Sequence, residues 1–409
     1  MRPAPAASPP PFDVLLVNRF APPDGAPTGI AAAALAERLR VLLPQARIGL
    51  LASRARYRAA CGTPEPALPV EHIASFGLGR WPPARLVGSL LEGWRLAERA
   101  AARARVVIAL SDPPLLPLWV ERACRRRGRR WIEWSLDRYP EFFAAAGLVS
   151  STNPLYRWLA AHESRLRPDA LIAPGAGLLA GLSARRRAAA PSFLLPAGLV
   201  APPRSGLTAG PARFVSTAGP ARLSLTAENS RTLVYAGTLG EAHNPAAVAA
   251  IAARAAATGW RVRLAVSGNR ARELRRRLAG HLSIEWPERL SLEALAAADA
   301  HLVSLAGRAT SLAVPSKAVT AVCLGRPFLF AGYAAADTWQ ELGAAGWLIP
   351  EQPDGGLEPA DIDRALTGSA DPVARRAREQ AAASLARTLH ERAAGSEAGL
   401  AALIGGWIE

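Results

Sequence analysis

Short apolar runs alternate with alanine-rich stretches of helical period along most of this 409-residue chain. Residues Phe12–Val17 (FDVLLV) are apolar at nearly every position, the pattern of a strand buried on both faces of a parallel sheet. Similar runs at 47–51, 106–110, 131–134, 170–173 and 192–195 predict five further strands. Helical periods fill the intervals at 28–42, 115–127, 142–147 and 156–166. From 196 to 229 Pro, Gly, Ser and Thr dominate and no period survives, which reads as a linker. The alternation resumes with strands at 232–235, 262–266, 301–305 and 328–331. Helices are expected from Asn244 or Pro245 to 257, up to 278, at 292–298 behind a Ser291 cap, at 315–325, and finally at 371–392 and 396–405. The pattern predicts an α/β protein with two Rossmann-like doubly wound domains. Its parts are a tail at 1–11, an N-terminal domain at 12–195, a linker at 196–230 and a C-terminal domain at 231–370. Closing helices at 371–409 are expected to pack back across the domains.

Ligands of such sheets meet the carboxyl ends of the strands, so the loops there are the candidates for chemistry. After the first strand come Asp24, Gly25, Thr28 and Gly29, with Thr28 read as the cap of the following helix. This loop is not G-x-G-x-x-G, so a dinucleotide fingerprint is absent. After the strand at 131–134, Asp137 and Glu141 flank Pro140, placed for acid/base work or for binding hydroxyls. Capping of the 142–147 segment is the structural alternative for both. In the second half the corresponding strand ends carry Gly237-Thr238 and Ser267-Gly268-Asn269. One further residue stands apart. Lys317 is the single lysine in a chain with 49 Lys and Arg in total. It follows Pro315 and Ser316, read as the capped first turn of a short helix. An ammonium, a hydroxyl and free N–H groups at a helix start make a seat for phosphate.

The formal charge of +16 raises a nucleic-acid reading. The arginines, however, fall in short clusters at 125–127, 185–187 and 275–277 and are not interleaved with stacking aromatics. They read as solvated helix faces, or as attraction to an anionic membrane surface or a phosphate-bearing substrate. No nucleic-acid partner is expected. Cys61, Cys124 and Cys323 are far apart and odd in number, which fits small buried hydrophobes in a reducing cytosol and neither a disulfide framework nor a metal site. The first 11 residues lack the apolar core of an export signal, and no apolar run is long enough to span a bilayer. A cytoplasmic protein is expected, peripheral at a membrane at most.

Several of these segments occur in the order seen in GT-B glycosyltransferases, and the chain resembles family 4 and its bacterial polysaccharide-assembly branch. The matching residues are Leu233-Val234-Tyr235-Ala236-Gly237-Thr238-Leu239-Gly240 with His243-Asn244, the segment from Ala298 to Leu305, and Val314-Pro315-Ser316-Lys317 with Leu324-Gly325-Arg326-Pro327. In the first half they are the loop from Phe20 to Gly29 and Asp137-Arg138-Tyr139-Pro140-Glu141. The resemblance implies two domains facing a cleft, a nucleotide-sugar donor on the C-terminal side and a lipid-linked or glycan acceptor on the other. It implies hexosyl or N-acetylhexosaminyl transfer with retained anomeric configuration, no dissociable metal and no cofactor. Under it Asp137, Glu141 and Lys317 are catalytic. Donor contacts fall to Gly237, Thr238, His243, Asn244, Ser267, Gly268, Asn269, Trp286, Pro315, Ser316, Lys317 and Thr320.

The departures are specific. The family's two glutamates, eight positions apart, would fall near Leu312 and Thr320, and both are absent. Its usual Arg is Thr238, and its Lys partner would fall near His243 or Asn244. Two other readings therefore stand beside the transferase: a UDP-sugar 2-epimerase of the same shape, and a non-catalytic sugar-nucleotide-binding subunit. The epimerase needs additional acid/base groups, whereas His72, His162, His281 and His390 look structural or exposed.

Overall fold

The computed structural model describes residues 10–55, 65–76, 82–186, 190–200 and 231–409. Cys61 and most of the expected linker lie outside these ranges. The first sheet contains β1 (Phe12–Val17), β2 (Ile48–Ser53), β3 (Val70–Ile73), β4 (Ala104–Leu110), β5 (Arg130–Trp134), β6 (Ala170–Ala173) and β7 (Ser192–Leu194). They are parallel and ordered β3-β2-β1-β4-β5-β6-β7, with Val14 beside both Ile48 and Val106. The second contains β8 (Thr232–Thr238), β9 (Arg261–Ser267), β10 (Ile284–Glu285), β11 (Ala300–Ser304), β12 (Phe328–Gly332) and β13 (Gly346–Pro350), parallel in the order β10-β9-β8-β11-β12-β13. Each sheet thus reverses direction once, between β1 and β4 and between β8 and β11. Those switch points open crevices at the carboxyl ends of the strands.

The pattern found the interior strands and missed three. β3, β10 and β13 all lie at sheet edges. An edge strand is buried on fewer sides and tolerates polar residues, as in Val-Glu-His-Ile of β3; β10 is only two residues long, and β13 (Gly-Trp-Leu-Ile-Pro) is apolar but bounded by Gly and Pro. The helix Pro82–Arg103 was missed as well. The two expected closing helices are one, Pro372–Ile408, capped by Asp371, whose side chain accepts from the Val373 N–H. Gly395 costs a helix interior about 1 kcal/mol relative to alanine and suggests a break. Packing on both sides of it overrides that cost. Ala382, Ala386 and Leu389 join the second domain's core, whereas Ala393, Leu400, Ala401 and Ile404 join the first.

The domains also meet near the cleft. Asp137 forms an isolated antiparallel bridge with Ala313, and the Arg138 N–H donates to the Leu312 carbonyl at 3.0 Å. Asp337 accepts from the Leu178 N–H at 2.8 Å and Glu341 from the Ala176 N–H at 2.9 Å. Two carboxylates of the second domain thereby cap the helix Ala176–Arg185 of the first. Gly175 and Gly177 leave room for this, since a Cβ on either would collide with the Asp337 carboxylate.

Arg186 corrects the reading of its cluster as a solvated face. It is buried, with Nη2 2.6 Å from Glu133 Oε1 and 2.6 Å from Glu163 Oε1. The ion triad braces β5 against the segments that follow it. Cys124 and Cys323 are buried free thiols.

Candidate active site

A cavity of about 500 Å³ lies where the carboxyl ends of the two sheets face each other. On the C-terminal side its floor is β8, and Lys317 projects onto it from the helix Ser316–Cys323. Lys317 Nζ donates to the Thr238 carbonyl at 2.8 Å, lies 3.2 Å from His243 Nε2 and sits 5.2 Å from the centre of the Tyr235 ring. His243 Nδ1 lies 2.6 Å from the Ser304 carbonyl, which can only accept. The proton is therefore on Nδ1, and the Nε2 lone pair faces the ammonium. Every partner of Lys317 is neutral. Burial pushes the lysine down to about 7, and His243 falls to about 3 through burial and the neighbouring lysine. Gly237 must be glycine here: its φ is +122°, and a Cβ would stand 3.2 Å from Lys317 Cε.

The Lys317 ammonium thus lies against Thr238, where the family pattern would place its Arg, and against His243, one of the two positions, with Asn244, near which its Lys would fall. One side chain from a different helix reaches both. Ser316 is not the cap: Pro315 holds that position with no side-chain bond, and Ser316 is the first helical residue. Both still line the cavity. Thr320 lines it as well, with its hydroxyl donating to Gly198 O at 2.9 Å.

Other expected donor contacts are committed elsewhere. Asn244 caps the helix Pro245–Ala257 through Ala246 N and Ala247 N, and its amide donates to Gly355 O at 2.7 Å. Gly268, with φ +98°, lets the chain turn against Leu239 O, which a Cβ would approach to 2.7 Å. Asn269 donates to Glu241 at 2.6 Å, and Trp286 lies under the Arg275 guanidinium at 4.6 Å. None of these, nor Ser267, belongs to the cavity wall. Asn244 and Asn269 spend their polar groups on local structure, which local sequence cannot disclose, whereas the buried Ser267 hydroxyl has no protein partner among the described residues.

On the N-terminal side Thr28 lines the cavity but does not cap: Ala26 is at the cap position, and Thr28 Oγ1 accepts from Asn18 at 3.1 Å. Asp24 accepts from the Ala26 N–H at 3.0 Å and, with Gly25, shapes the loop outside the cavity wall. Gly29 allows the helix start to approach Phe20, whose carbonyl a Cβ would meet at 2.8 Å. Asp137 and Glu141 part company. Asp137 lines the cavity, whereas Glu141 is ion-paired with Arg185 away from it.

Sequence reasoning missed Asp112, which follows β4 and lines the same cavity. The only signal was its place after a strand, in Ser-Asp-Pro-Pro; that β4 borders the switch point was knowable only from strand order. Burial raises Asp112 to about 7, partly offset by Arg19 and reinforced by Asp137 and Glu92, and burial raises Asp137 to about 6. Two histidines also line the cavity. His301 is held by Leu295 O at 2.9 Å and lowered to about 4 by burial, so it and His243 are neutral near pH 7. Among the described residues no group of His, Cys, Asp or Glu could hold a metal ion.

Two parallel switch-point sheets facing one cleft, with a helix returning from the second domain to the first, form the GT-B fold. Solved structures of that fold align along nearly the whole chain. Sucrose-phosphate synthase from Thermosynechococcus elongatus does so with a TM-score of 0.66 at 14% identity, over 94% of this chain and 97% of that one. WaaG, a glycosyltransferase involved in lipopolysaccharide biosynthesis, gives 0.64 at 16% identity, over 96% and 100%. Anabaena Alr3699/HepE, solved with UDP and glucose, gives 0.59 at 15% identity, over 97% and 100%. No family model and no curated protein matches the sequence.

Proposed function

We propose that this protein is a glycosyltransferase that moves a sugar from a nucleotide-sugar donor to a lipid-linked or polysaccharide acceptor. The observation that carries this is the Lys317 ammonium, held over Gly237 by neutral partners at the inter-domain cavity. A nucleoside diphosphate leaving a sugar gains negative charge, and a preorganised cation in a recessed site stabilises that charge where water would screen it. The lysine takes the place of two missing cations, which favours a working variant of the site over an inactive relative. The presence of UDP and glucose in the HepE structure supports the same ligand class here. Hexosyl or N-acetylhexosaminyl transfer fits a donor of this kind.

The acceptor is assigned to the N-terminal side and to the inner face of the cytoplasmic membrane. Leu148, Leu155 and Trp158 are 67%, 61% and 55% exposed, and Arg157, Arg165 and Arg167 stand exposed in the same segment. Apolar side chains among arginines suit an anionic lipid surface. No helix among the described residues can cross a membrane. Incubation with a panel of UDP- and GDP-sugars tests the reading. Slow release of free nucleotide supports transfer, a changed sugar supports epimerisation, and binding without turnover supports a non-catalytic subunit.

A further inference from the structure

Asp112 and Asp137 are brought side by side by strand pairing. β4 and β5 are neighbours in register, Leu110 beside Trp134, and each aspartate follows its strand by two or three residues. Ser111 Oγ ties the two loops, accepting from Leu136 N and Asp137 N at 3.3 Å each. The Arg19 N–H donates to the Asp112 carbonyl at 2.7 Å, which holds the same loop against the end of β1. Neither carboxylate receives a protein hydrogen bond among the described residues, and neither caps a helix. The helix after Asp112 has Leu115 at its cap position, in a left-handed conformation with φ 67°, and the helix after Asp137 has Pro140 there, both without side-chain capping bonds. Two carboxylates recessed from water and without structural duty are costly unless they serve the cavity they line.

They line the cavity from the first domain, not from the domain that carries the leaving-group seat, and the Asp137 backbone is bridged to Ala313 where the two domains meet. Lys317 and the helix start belong to the second domain, Asp112 and Asp137 to the first. The family's glutamate positions on the Lys317 side hold Leu312 and Thr320, and the carboxylate that lines the cavity from that domain is Glu288, next to Arg289.

We propose that Asp112 and Asp137 act as one pair that takes the proton of the acceptor hydroxyl from the face opposite the diphosphate, so that transfer inverts the anomeric configuration. This rests on the glycosyltransferase reading above and departs from the retention that the family-4 resemblance implies. In the step the acceptor oxygen forms a bond to the anomeric carbon while its proton passes to the carboxylate pair. The bond from that carbon to the phosphate oxygen breaks, and its electron pair leaves on the diphosphate toward Lys317. No further reactant is needed. Groups facing the pair are Arg19 with Glu92, ion-paired at 2.9 Å, and Tyr139. Lys317, His243, His301, Glu288 and Arg289 face the cavity from the second domain. With the pair titrating near 6 to 7, rate should rise with pH through that range and then fall as Lys317 deprotonates.

The test uses the full chain with UDP-glucose, UDP-N-acetylglucosamine and GDP-mannose, all α-linked, and water as the acceptor. Proton NMR identifies the first anomer of the released sugar before it mutarotates. The β anomer is the expected result. The α anomer overturns inversion while leaving the transferase reading intact, and release of no nucleotide from any of the donors sinks both. Asp112→Asn and Asp137→Asn should each slow turnover by roughly 10²- to 10⁴-fold and flatten the acidic limb of the pH profile. The affinity for UDP should stay within about twofold, because the pair belongs to the other domain. Asp112→Glu, keeping the carboxylate, should recover part of the rate. Equal loss in Asn and Glu variants with normal circular dichroism would refute the role as base.

Discussion

The Lys317 ammonium nitrogen lies 3.2 Å from Nε2 of His243, whose Nδ1 donates to the Ser304 carbonyl at 2.6 Å. The histidine is a neutral acceptor that positions the lysine and leaves its charge for a ligand. Asn244 follows, its N–H donating to Ser304 Oγ at 3.1 Å, so one serine at the end of β11 orders both residues.

Removing that charge should weaken donor binding. Lys317→Ala deletes a charge-assisted contact of roughly 1.5–3 kcal/mol, so UDP affinity measured by calorimetry should fall about ten- to a hundredfold. Lys317→Arg should recover only part, because a planar fork does not fit between Thr238 O and the Tyr235 ring. Wild-type affinity in the alanine variant would exclude the phosphate seat.

Binding should also be linked to protons. Lys317 titrates near 7 in the free protein, and a diphosphate beside it favours the charged form and raises that value. Nucleotide binding above about pH 7 should then take up a proton, and affinity should decline as pH rises. His243, near 3, stays neutral throughout this window and contributes nothing. Calorimetry at about pH 8 in buffers of different ionisation heat should give an uptake approaching one proton, absent in Lys317→Ala.

Gly237→Ala places a Cβ 3.2 Å from Lys317 Cε at φ +122°. The strain should cost roughly 1–2 kcal/mol of stability, and the displaced ammonium should lower kcat/KM at least tenfold. Unchanged kinetics would mean that Lys317 can serve from another position.

Asp337→Ala should uncap the helix Ala176–Arg185 across the domain boundary. A lost cap costs about 0.5–2 kcal/mol, and hydrogen exchange should rise at Ala176–Leu178 and not in β1 or β4. Uniform protection loss over both domains would point to global destabilisation instead.

Vesicles test the acceptor surface. Wild-type protein should sediment with anionic vesicles at low salt and be released at high salt, and Leu155→Ser with Trp158→Ser should reduce binding at either. Equal recovery in the supernatant under all conditions would leave a soluble acceptor.

The sequence alone determined the interior strands, the switch to a second α/β unit after residue 230, and Lys317 as the residue to watch. Buried strands must be apolar on both faces, and a single lysine among arginines is visible without any contact. Only the tertiary structure decided which loops meet. Asp112 and Asp137 are 25 positions apart in sequence and Lys317 a further 180, and nothing local states that β1, β4, β5 and β8 end at one cavity. The same holds for charge. Glu141 and Asp137 look alike along the chain, yet Glu141 is ion-paired with Arg185 away from the cavity while Asp137 lines it and is raised by burial, because a side chain's surroundings are brought from distant segments. Asn244, Gly268 and Asn269 fit the motif but spend their polar groups and backbone freedom on holding the loops, since a folded chain must satisfy its own donors and acceptors before it can offer any to a ligand.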